Sequence, residues 1–145
     1  MLESVIDEVL KKDPQTRRVF LGVFARDELP EDLIYPCCLV LNTQPRSQRG
    51  QHWLALFYDK HGNCDFFDSY AMPAANYSLE PYLERTSNTW FENKKRIQGN
   101  SQYCGHYAIL FLIFRVRSNS VKFFQAFSSN YSNNDKIIKN LIDKY

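Results

Sequence analysis

The spacing of hydrophobic positions changes early in the chain. Over residues 2–11 (LESVIDEVLK) the apolar residues share one helical face, which predicts an amphipathic helix. Pro14 is expected to end this helix, because the residue before a proline avoids the α region. Residues 19–24 (VFLGVF) then predict a short buried strand that Gly22 interrupts.

The middle of the chain has the pattern of buried strands joined by a turn. Residues 37–41 (CCLVL) are apolar throughout, which is typical of a strand covered on both faces. Residues 42–50 (NTQPRSQRG) are polar and predict a loop that leads to a second buried strand over residues 53–58. The sequence DKHGN at 59–63 predicts a turn, and residues 65–68 (DFFD) predict the hairpin partner.

The second half of the chain predicts mainly helices. Residues 78–86 predict a short helix that Ser78 caps and whose first turn tolerates Pro81, and residues 94–97 predict a short strand. Residues 104–116 (CGHYAILFLIFRV) are apolar nearly all round, which indicates a central, buried helix. Two amphipathic helices are predicted, over residues 121–127 and 135–144.

These elements predict a single α+β domain over residues 1–145. Its core would be a central, mainly antiparallel sheet packed against the buried helix, with further helices at both ends of the chain. The length is that of one domain, and 44% hydrophobic residues argue against disorder.

Charge and cysteine content narrow the function classes. The net charge of +2 gives little support to a nucleic-acid binder, and local basic runs such as 94–96 are expected to be solvated faces. No apolar stretch has the length of a membrane span, and the N-terminal charges come too early for a signal peptide. We therefore expect a protein that is not secreted and not in the membrane, with its four cysteines as free thiols and no metal site. The sequence does not indicate an oligomeric state, and a monomer is the default expectation.

Cys104 is the first residue with predicted chemistry. It lies where a polar loop meets the apolar helix, and the N–H groups and positive dipole end of a helix favour thiolate over thiol. A buried, inert cysteine is the alternative, and it is the expectation for Cys37, Cys38 and Cys64, which lie in predicted strands.

His52 and Asp68 are predicted to lie at the same edge of the sheet. His52 starts one strand of the predicted hairpin and Asp68 closes the other, so folding at the turn brings them together. The Asp68 carboxylate would accept the Nδ1 proton of His52 and stabilise the imidazolium, while His52 would serve as base for Cys104. Asp65 is the alternative acid. Two other histidines are weaker candidates: His61 in the turn and His106, two residues after Cys104.

Gln98 is the predicted oxyanion donor. It precedes Cys104 by a short loop, which can bring its side-chain amide beside the Cys104 N–H. Gln102 is a rival donor within the same loop, and sequence geometry leaves the choice between them open.

The chain resembles the adenovirus proteases (adenains). The resemblance rests on the order His, acid, Gln, Cys within the motifs GQHW, FFDSY and IQGNSQYCGHYAILF, and on FLGVFARDELP and LVLNTQPRSQRGQHW. It covers residues 19–114. The order also marks the SUMO-deconjugating proteases, which Asp68-Ser69 matches better, since adenoviral enzymes usually carry Glu at this position.

The resemblance implies a papain-related fold and a thiol endopeptidase that matures viral or virus-like structural proteins at glycine-containing sites. It implies His52, Asp68, Gln98 and Cys104 as catalytic residues. It also implies location in the host nucleus or the virion, and activation by a small peptide and by DNA, although no cofactor is required for the chemistry. The chain is shorter than the adenoviral enzymes after the catalytic helix, which leaves both activators open.

Two alternative functions are retained. One is a deconjugase for SUMO or other ubiquitin-like modifiers, which keeps the chemistry and changes the substrate. The other is a non-enzymatic nucleic-acid-binding module built from basic and aromatic residues.

Overall fold

The computed structural model describes residues 1–48 and 52–145. Over these residues the chain forms five α-helices and one five-stranded sheet. The helices are α1 (Glu3–Lys12), α2 (Glu80–Thr86), α3 (Cys104–Arg115), α4 (Val121–Gln125) and α5 (Tyr131–Ile142). The strands are β1 (Phe20–Phe24), β2 (Cys37–Asn42), β3 (Trp53–Tyr58), β4 (Asn63–Phe67) and β5 (Thr89–Glu92).

The α+β class is confirmed, but the sheet is mixed rather than mainly antiparallel. Its strands follow chain order from β1 to β5. The central pairs β2–β3 and β3–β4 are antiparallel, whereas β1–β2 and β4–β5 are parallel. The parallel pairs arise because long connections, one of which contains α2, carry the chain back before the next strand begins.

The predicted burial of β2 and β3 on both faces is confirmed. Alternate residues of each strand enter two separate cores, so Val40 and Leu39 point to opposite sides of the sheet. Helices α1, α3, α4 and α5 contribute to one core, and α2 to the other. Helix α3 lies against β3 and is buried almost all round, as its continuous apolar sequence predicts.

Several local predictions are wrong. Strand β1 is a half-exposed edge strand, not a buried one, and Leu21 is 44% exposed. Ser78 does not cap α2: it adopts a left-handed conformation, and the helix starts two residues later. Residues 94–97 do not form a strand, because the ladder with β4 is taken by Thr89–Glu92 just before them.

The remaining helices follow prediction closely. Helix α1 ends before Asp13-Pro14, and α4 occupies most of the predicted 121–127 segment. Helix α5 begins four residues earlier than predicted, because the Asn130 side chain caps it by accepting a hydrogen bond from the Asn133 N–H at 3.0 Å. Within the described ranges, no helix combines the length and apolarity needed to cross a membrane.

The loop predicted over residues 42–50 is described only in part. Asn42 is the last residue of β2, and residues 43–48 are irregular with turns. Arg49 and Gly50 of this loop, and Gln51 of the GQHW motif, lie outside the described residues.

Candidate active site

Cys104 is the first residue of helix α3, as the sequence predicts. Helix α3 begins after residue 103 because the loop before it is polar while every residue from Tyr107 to Ile113 is buried. The Cys104 side chain is nearly covered, with the residue 8% exposed, and it opens onto a surface cleft. The helix therefore presents its thiol at the end that stabilises a thiolate.

His52 immediately precedes β3 and its ring lies against Asp68. The Nε2 atom is 2.7 Å from Asp68 Oδ1, and both side chains are buried. The sequence-based assignment of the Nδ1 proton to Asp68 is therefore wrong in its atom. The ring turns its Nε2 edge to the carboxylate, so Nδ1 is the nitrogen left for the thiol.

The β3–β4 register explains why the two residues meet. Ala55 pairs with Phe67 and Tyr58 with Cys64 across the hairpin. Asp68 directly follows the last residue of β4, and His52 directly precedes the first residue of β3, so both lie at the same end of this hairpin. The 2.7 Å contact between them confirms the predicted edge.

Asp68 is a completely buried carboxylate with four hydrogen-bond partners. Besides His52, it accepts hydrogen bonds from the N–H of Tyr70 at 2.9 Å, the N–H of Met72 at 3.3 Å and the hydroxyl of Tyr77. A buried charge is tolerated when hydrogen bonds replace its lost water. This arrangement fixes the carboxylate while one oxygen stays on His52.

Tyr70 and Tyr77 were missed by the sequence reasoning. The Tyr70 ring stacks on the His52 imidazole, with centroids 4.4 Å apart and planes 15° apart. A signal was available in its position, because Tyr70 follows Asp68 by only two residues in the motif FFDSY. Tyr77 had no such signal, since it reaches Asp68 from a separate 3₁₀ turn.

Cys104 and His52 form an electrostatic pair. Burial by itself would lower the pKa of His52, but hydrogen bonding to Asp68 and the proximity of Cys104 outweigh it and raise the pKa to about 9. Burial likewise opposes ionisation of Cys104. Its interaction with His52, together with the backbone N–H groups of Trp53 and Gly105, lowers its pKa overall. Both shifts favour a thiolate–imidazolium pair.

The Nδ1 atom of His52 is buried and has no hydrogen-bond partner among the described residues. The thiol nevertheless lies close enough to act on the ionisation of the ring. Such loose nucleophile–base contacts are common without substrate and shorten when it binds.

The other three thiols behave oppositely. Burial raises the pKa of Cys37 to about 11, and it also raises the pKa values of Cys38 and Cys64. All four cysteines are free thiols, as predicted, and these three lie in strands of the core. Cys104 alone combines a lowered pKa with a partner imidazole.

Gln98 is fully buried beneath the loop that leads to Cys104. Its Nε2 donates to the Ser101 carbonyl oxygen at 2.9 Å and approaches the Ser101 hydroxyl at 3.2 Å, while its Oε1 accepts a hydrogen bond from the Ser69 hydroxyl. Gln102 is exposed and lines the cleft together with Cys104. The structure therefore puts Gln98 inside the loop and Gln102 on its surface.

The cleft beside Cys104 has a volume of about 640 Å³. The N-terminal residues 1–3 and the 42–48 segment form much of its wall, and Trp53, Tyr70 and Gln102 approach the thiol end. Gly105 lets the start of α3 pack closely on two of these wall residues, because a Cβ there would lie 3.2 Å from the Trp53 ring and 3.3 Å from Met1.

The alternative site residues lie elsewhere. Asp65 lies within β4, three residues before Asp68, and is paired with Arg115. His61 is exposed in the hairpin turn, and the His106 ring contacts Tyr103 with centroids 4.8 Å apart. Among the described residues, no group of three or more His, Cys, Asp or Glu has an arrangement that could hold a metal ion.

Many basic side chains are engaged in ion pairs. Pairs with carboxylates are made by Lys11, Lys12, Arg46, Arg85, Arg115, Arg117 and Lys139. Arg96, from the 94–96 run, instead lies over the rings of Tyr70 and Tyr131.

Neither a scan against protein-family models nor a search among curated proteins finds a match to this chain.

Proposed function

We propose that this chain is a cysteine endopeptidase of the adenovirus-protease type, a papain-related thiol protease. One observation carries the proposal: of the four thiols, only Cys104 has a lowered pKa, and it lies beside an imidazole held by a buried carboxylate. A structural cysteine has no need of this arrangement, whereas a nucleophile requires it.

The chemistry follows from the paired charges. The Cys104 thiolate attacks the carbonyl carbon of the scissile peptide bond and forms a tetrahedral oxyanion. The oxyanion collapses to a thioester as the C–N bond breaks, and His52 Nδ1 gives its proton to the departing amine. A water molecule then transfers a proton to His52 and attacks the thioester carbon, which releases the acid and restores the thiolate.

Asp68 acts through His52 rather than on the substrate. Its Oδ1 atom holds the Nε2–H, so the ring keeps Nδ1 towards the thiol in both protonation states. The carboxylate also stabilises the imidazolium, which accounts for the raised pKa of His52 despite burial.

We assign stabilisation of the oxyanion to two hydrogen-bond donors, the Cys104 N–H and one side-chain amide. Gln98 is our first assignment, because it stands at the matching position of the resembled motif. Its Nε2 lies 2.9 Å from the Ser101 carbonyl oxygen and 3.2 Å from the Ser101 hydroxyl, so one of these contacts must be exchanged for the oxyanion. Gln102 is the rival, and its place on the cleft supports it.

The proposed substrates are viral or virus-like structural proteins cleaved at glycine-containing sites, in the host nucleus or the virion. This assignment rests on the resemblance, and activation by a peptide or by DNA is part of the same proposal.

A SUMO-type deconjugase is the second candidate, and Asp68 is the observation that favours it, since the adenoviral enzymes usually carry Glu there. The two functions separate in a substrate screen. Cleavage of glycine-containing peptides supports the endopeptidase, and cleavage restricted to folded ubiquitin-like modifiers would replace it with the deconjugase.

The first test is alkylation with iodoacetamide, followed by intact mass and peptide mapping. We expect rapid modification of Cys104 alone in the wild type, and slow modification in His52→Ala. His61→Ala is the matched control, because this exposed histidine lies outside the site. Equal labelling of Cys104 in all three proteins would overturn the proposed thiolate–imidazolium pair.

A further inference from the structure

The loop before the nucleophile is tied to the C-terminal helix by a chain of polar side chains. The Ser69 hydroxyl donates to Gln98 Oε1, and Gln98 Nε2 lies 3.2 Å from Ser101 Oγ. Ser101 Oγ is in turn 3.1 Å from Asp135 Oδ1, which lies 34 residues later on α5. All four of these hydrogen-bonded residues are buried or half-buried.

The carboxylate at the end of this chain sets its direction. A carboxylate only accepts hydrogen bonds, so the Ser101 hydroxyl must donate its proton to Asp135. The Ser101 oxygen is then free to accept from the Gln98 Nε2 group, and Gln98 must turn Oε1 to Ser69. The Ser101 carbonyl oxygen, 2.9 Å from Gln98 Nε2, requires the same orientation of the Gln98 amide. Asp135 therefore reinforces this orientation through the Ser101 hydroxyl, without a hydrogen bond of its own to Gln98 among the described residues.

Helix α5 holds the same loop at two further points. The Asn134 side chain, which is fully buried, donates to the Ile97 carbonyl oxygen at 2.9 Å. Tyr131 packs against Gly99 so closely that a Cβ there would lie 3.3 Å from the tyrosine. These contacts set the backbone at both sides of Gln98.

We propose that Asp135 is a positioning residue of the active site, which acts through Ser101 to orient the Gln98 amide and to fix loop 98–103. This inference rests on the proposed peptidase function. It predicts an effect on the step that develops the oxyanion, because both candidate amides belong to this loop. It predicts no effect on thiolate formation, because the His52–Asp68 pair lies on the sheet and shares no hydrogen bond with Asp135 among the described residues.

The test compares turnover of a glycine-containing peptide with iodoacetamide alkylation of Cys104. Asp135→Ala and Ser101→Ala should each lower kcat about 10-fold or more, since a displaced oxyanion donor has an effect of that order. KM and the pH profile of Cys104 alkylation should stay unchanged. Asp135→Asn should retain most of the activity, because its Oδ1 still accepts from Ser101.

Tyr107→Phe is the matched control. The Tyr107 hydroxyl donates to the same Asp135 oxygen at 2.7 Å, so its removal strips a buried hydrogen bond from α5 but leaves Ser101 in place. Its kcat should equal that of the wild type. An equal fall of kcat in Tyr107→Phe and Asp135→Ala, or a parallel fall of alkylation in Asp135→Ala, would overturn the positioning role.

A second readout keeps this inference separate from the proposed function. In ¹⁵N-labelled protein the Gln98 side-chain NH₂ signal should be protected from solvent exchange in the wild type and lose protection in Asp135→Ala. Unchanged protection in Asp135→Ala contradicts the inference. A wild type that neither cleaves peptides nor reacts at Cys104 contradicts the peptidase instead, and the NH₂ signal still decides whether Asp135 orients Gln98.

Discussion

The two halves of the candidate site are held by different kinds of structure. His52 and Asp68 lie at the ends of paired strands, where the backbone register of β3 and β4 brings them together. Cys104 follows a loop whose shape depends on side chains from distant parts of the chain, such as Ser69 and Asp135. The base–acid half is therefore fixed by the sheet, whereas the nucleophile half can be adjusted by single side chains.

The largest expected effect comes from breaking the sheet half at Asp68. In Asp68→Asn we expect kcat/KM to fall by roughly 10²–10⁴-fold, because an amide stabilises the imidazolium less and can bind the wrong tautomer of His52. Peptide turnover with a parallel thermal melt measures the loss and checks that the protein is folded.

Asp65→Asn is the control for that change. Asp65 lies in β4, which Asp68 directly follows, but its carboxylate is paired with Arg115 rather than with the imidazole. We expect its turnover to match the wild type. A loss in Asp65→Asn as large as in Asp68→Asn would contradict our assignment of the orienting role to Asp68 alone.

The same comparison explains what the sequence could predict. The strand pattern and the turn at 59–63 were sufficient to bring His52 and Asp68 together, because hairpin register depends on local sequence. The apolar run after Cys104 likewise predicted helix α3. The parallel edge pairings and the exposed β1 were missed, since pairing through long connections is decided by tertiary packing.

The nucleophile half was less predictable. Spacing suggested that Gln98 could reach the start of α3, but it could not reveal that Ser69 and Ser101 enclose its amide. The prediction that Nδ1 of His52 contacts Asp68 was wrong for a similar reason, because ring orientation depends on where the thiol and the carboxylate lie in space.

The next effect in size tests which amide serves the nucleophile half. Gln98→Ala should lower kcat by roughly 10²–10³-fold if this residue supplies the oxyanion donor, with a smaller loss in Gln102→Ala. Single-turnover kinetics with a glycine-containing peptide measure the acylation step directly. A large loss confined to Gln102→Ala, which removes the amide on the cleft surface, would transfer the role to Gln102.

The pH dependence sharpens the comparison, because it depends on the pair that joins the two halves. Because the pKa of Cys104 is lowered, its thiolate forms at a lower pH than that of an ordinary cysteine. Because the pKa of His52 is raised to about 9, its imidazolium persists up to about that pH. We expect kcat/KM to form a plateau between the two values. Above a pH of about 9 it should fall about 10-fold per unit, as His52 loses the proton needed by the leaving amine.

Asp68→Asn is the variant that tests this assignment. Without the carboxylate, the upper limit of the plateau should move to lower pH, because burial alone lowers the pKa of His52. The profile is measured with a peptide substrate at constant ionic strength. An upper limit that does not move in Asp68→Asn would show that another group controls it.

The smallest expected effect concerns backbone strain beside the acid. Ala71 has a φ of 58°, and its N–H donates to the Asp68 carbonyl oxygen at 2.8 Å in the turn that wraps this carboxylate. A left-handed conformation costs an alanine roughly 1–2 kcal/mol and a glycine almost nothing. Ala71→Gly should therefore raise the free energy of unfolding by about 0.5–1 kcal/mol, after the greater freedom of glycine in the unfolded chain is subtracted. Urea denaturation measures the change. Ala75→Gly is the control, because Ala75 is an exposed residue of the next 3₁₀ turn without a positive φ, and this change should lower stability instead.

Because the hydrogen bonds to Asp68 come from backbone N–H groups and Tyr77, Ala71→Gly should leave kcat unchanged. A fall in kcat with greater stability would mean that the strained turn itself helps to hold Asp68 on His52, and that the sheet half is less completely determined by strand register than we propose.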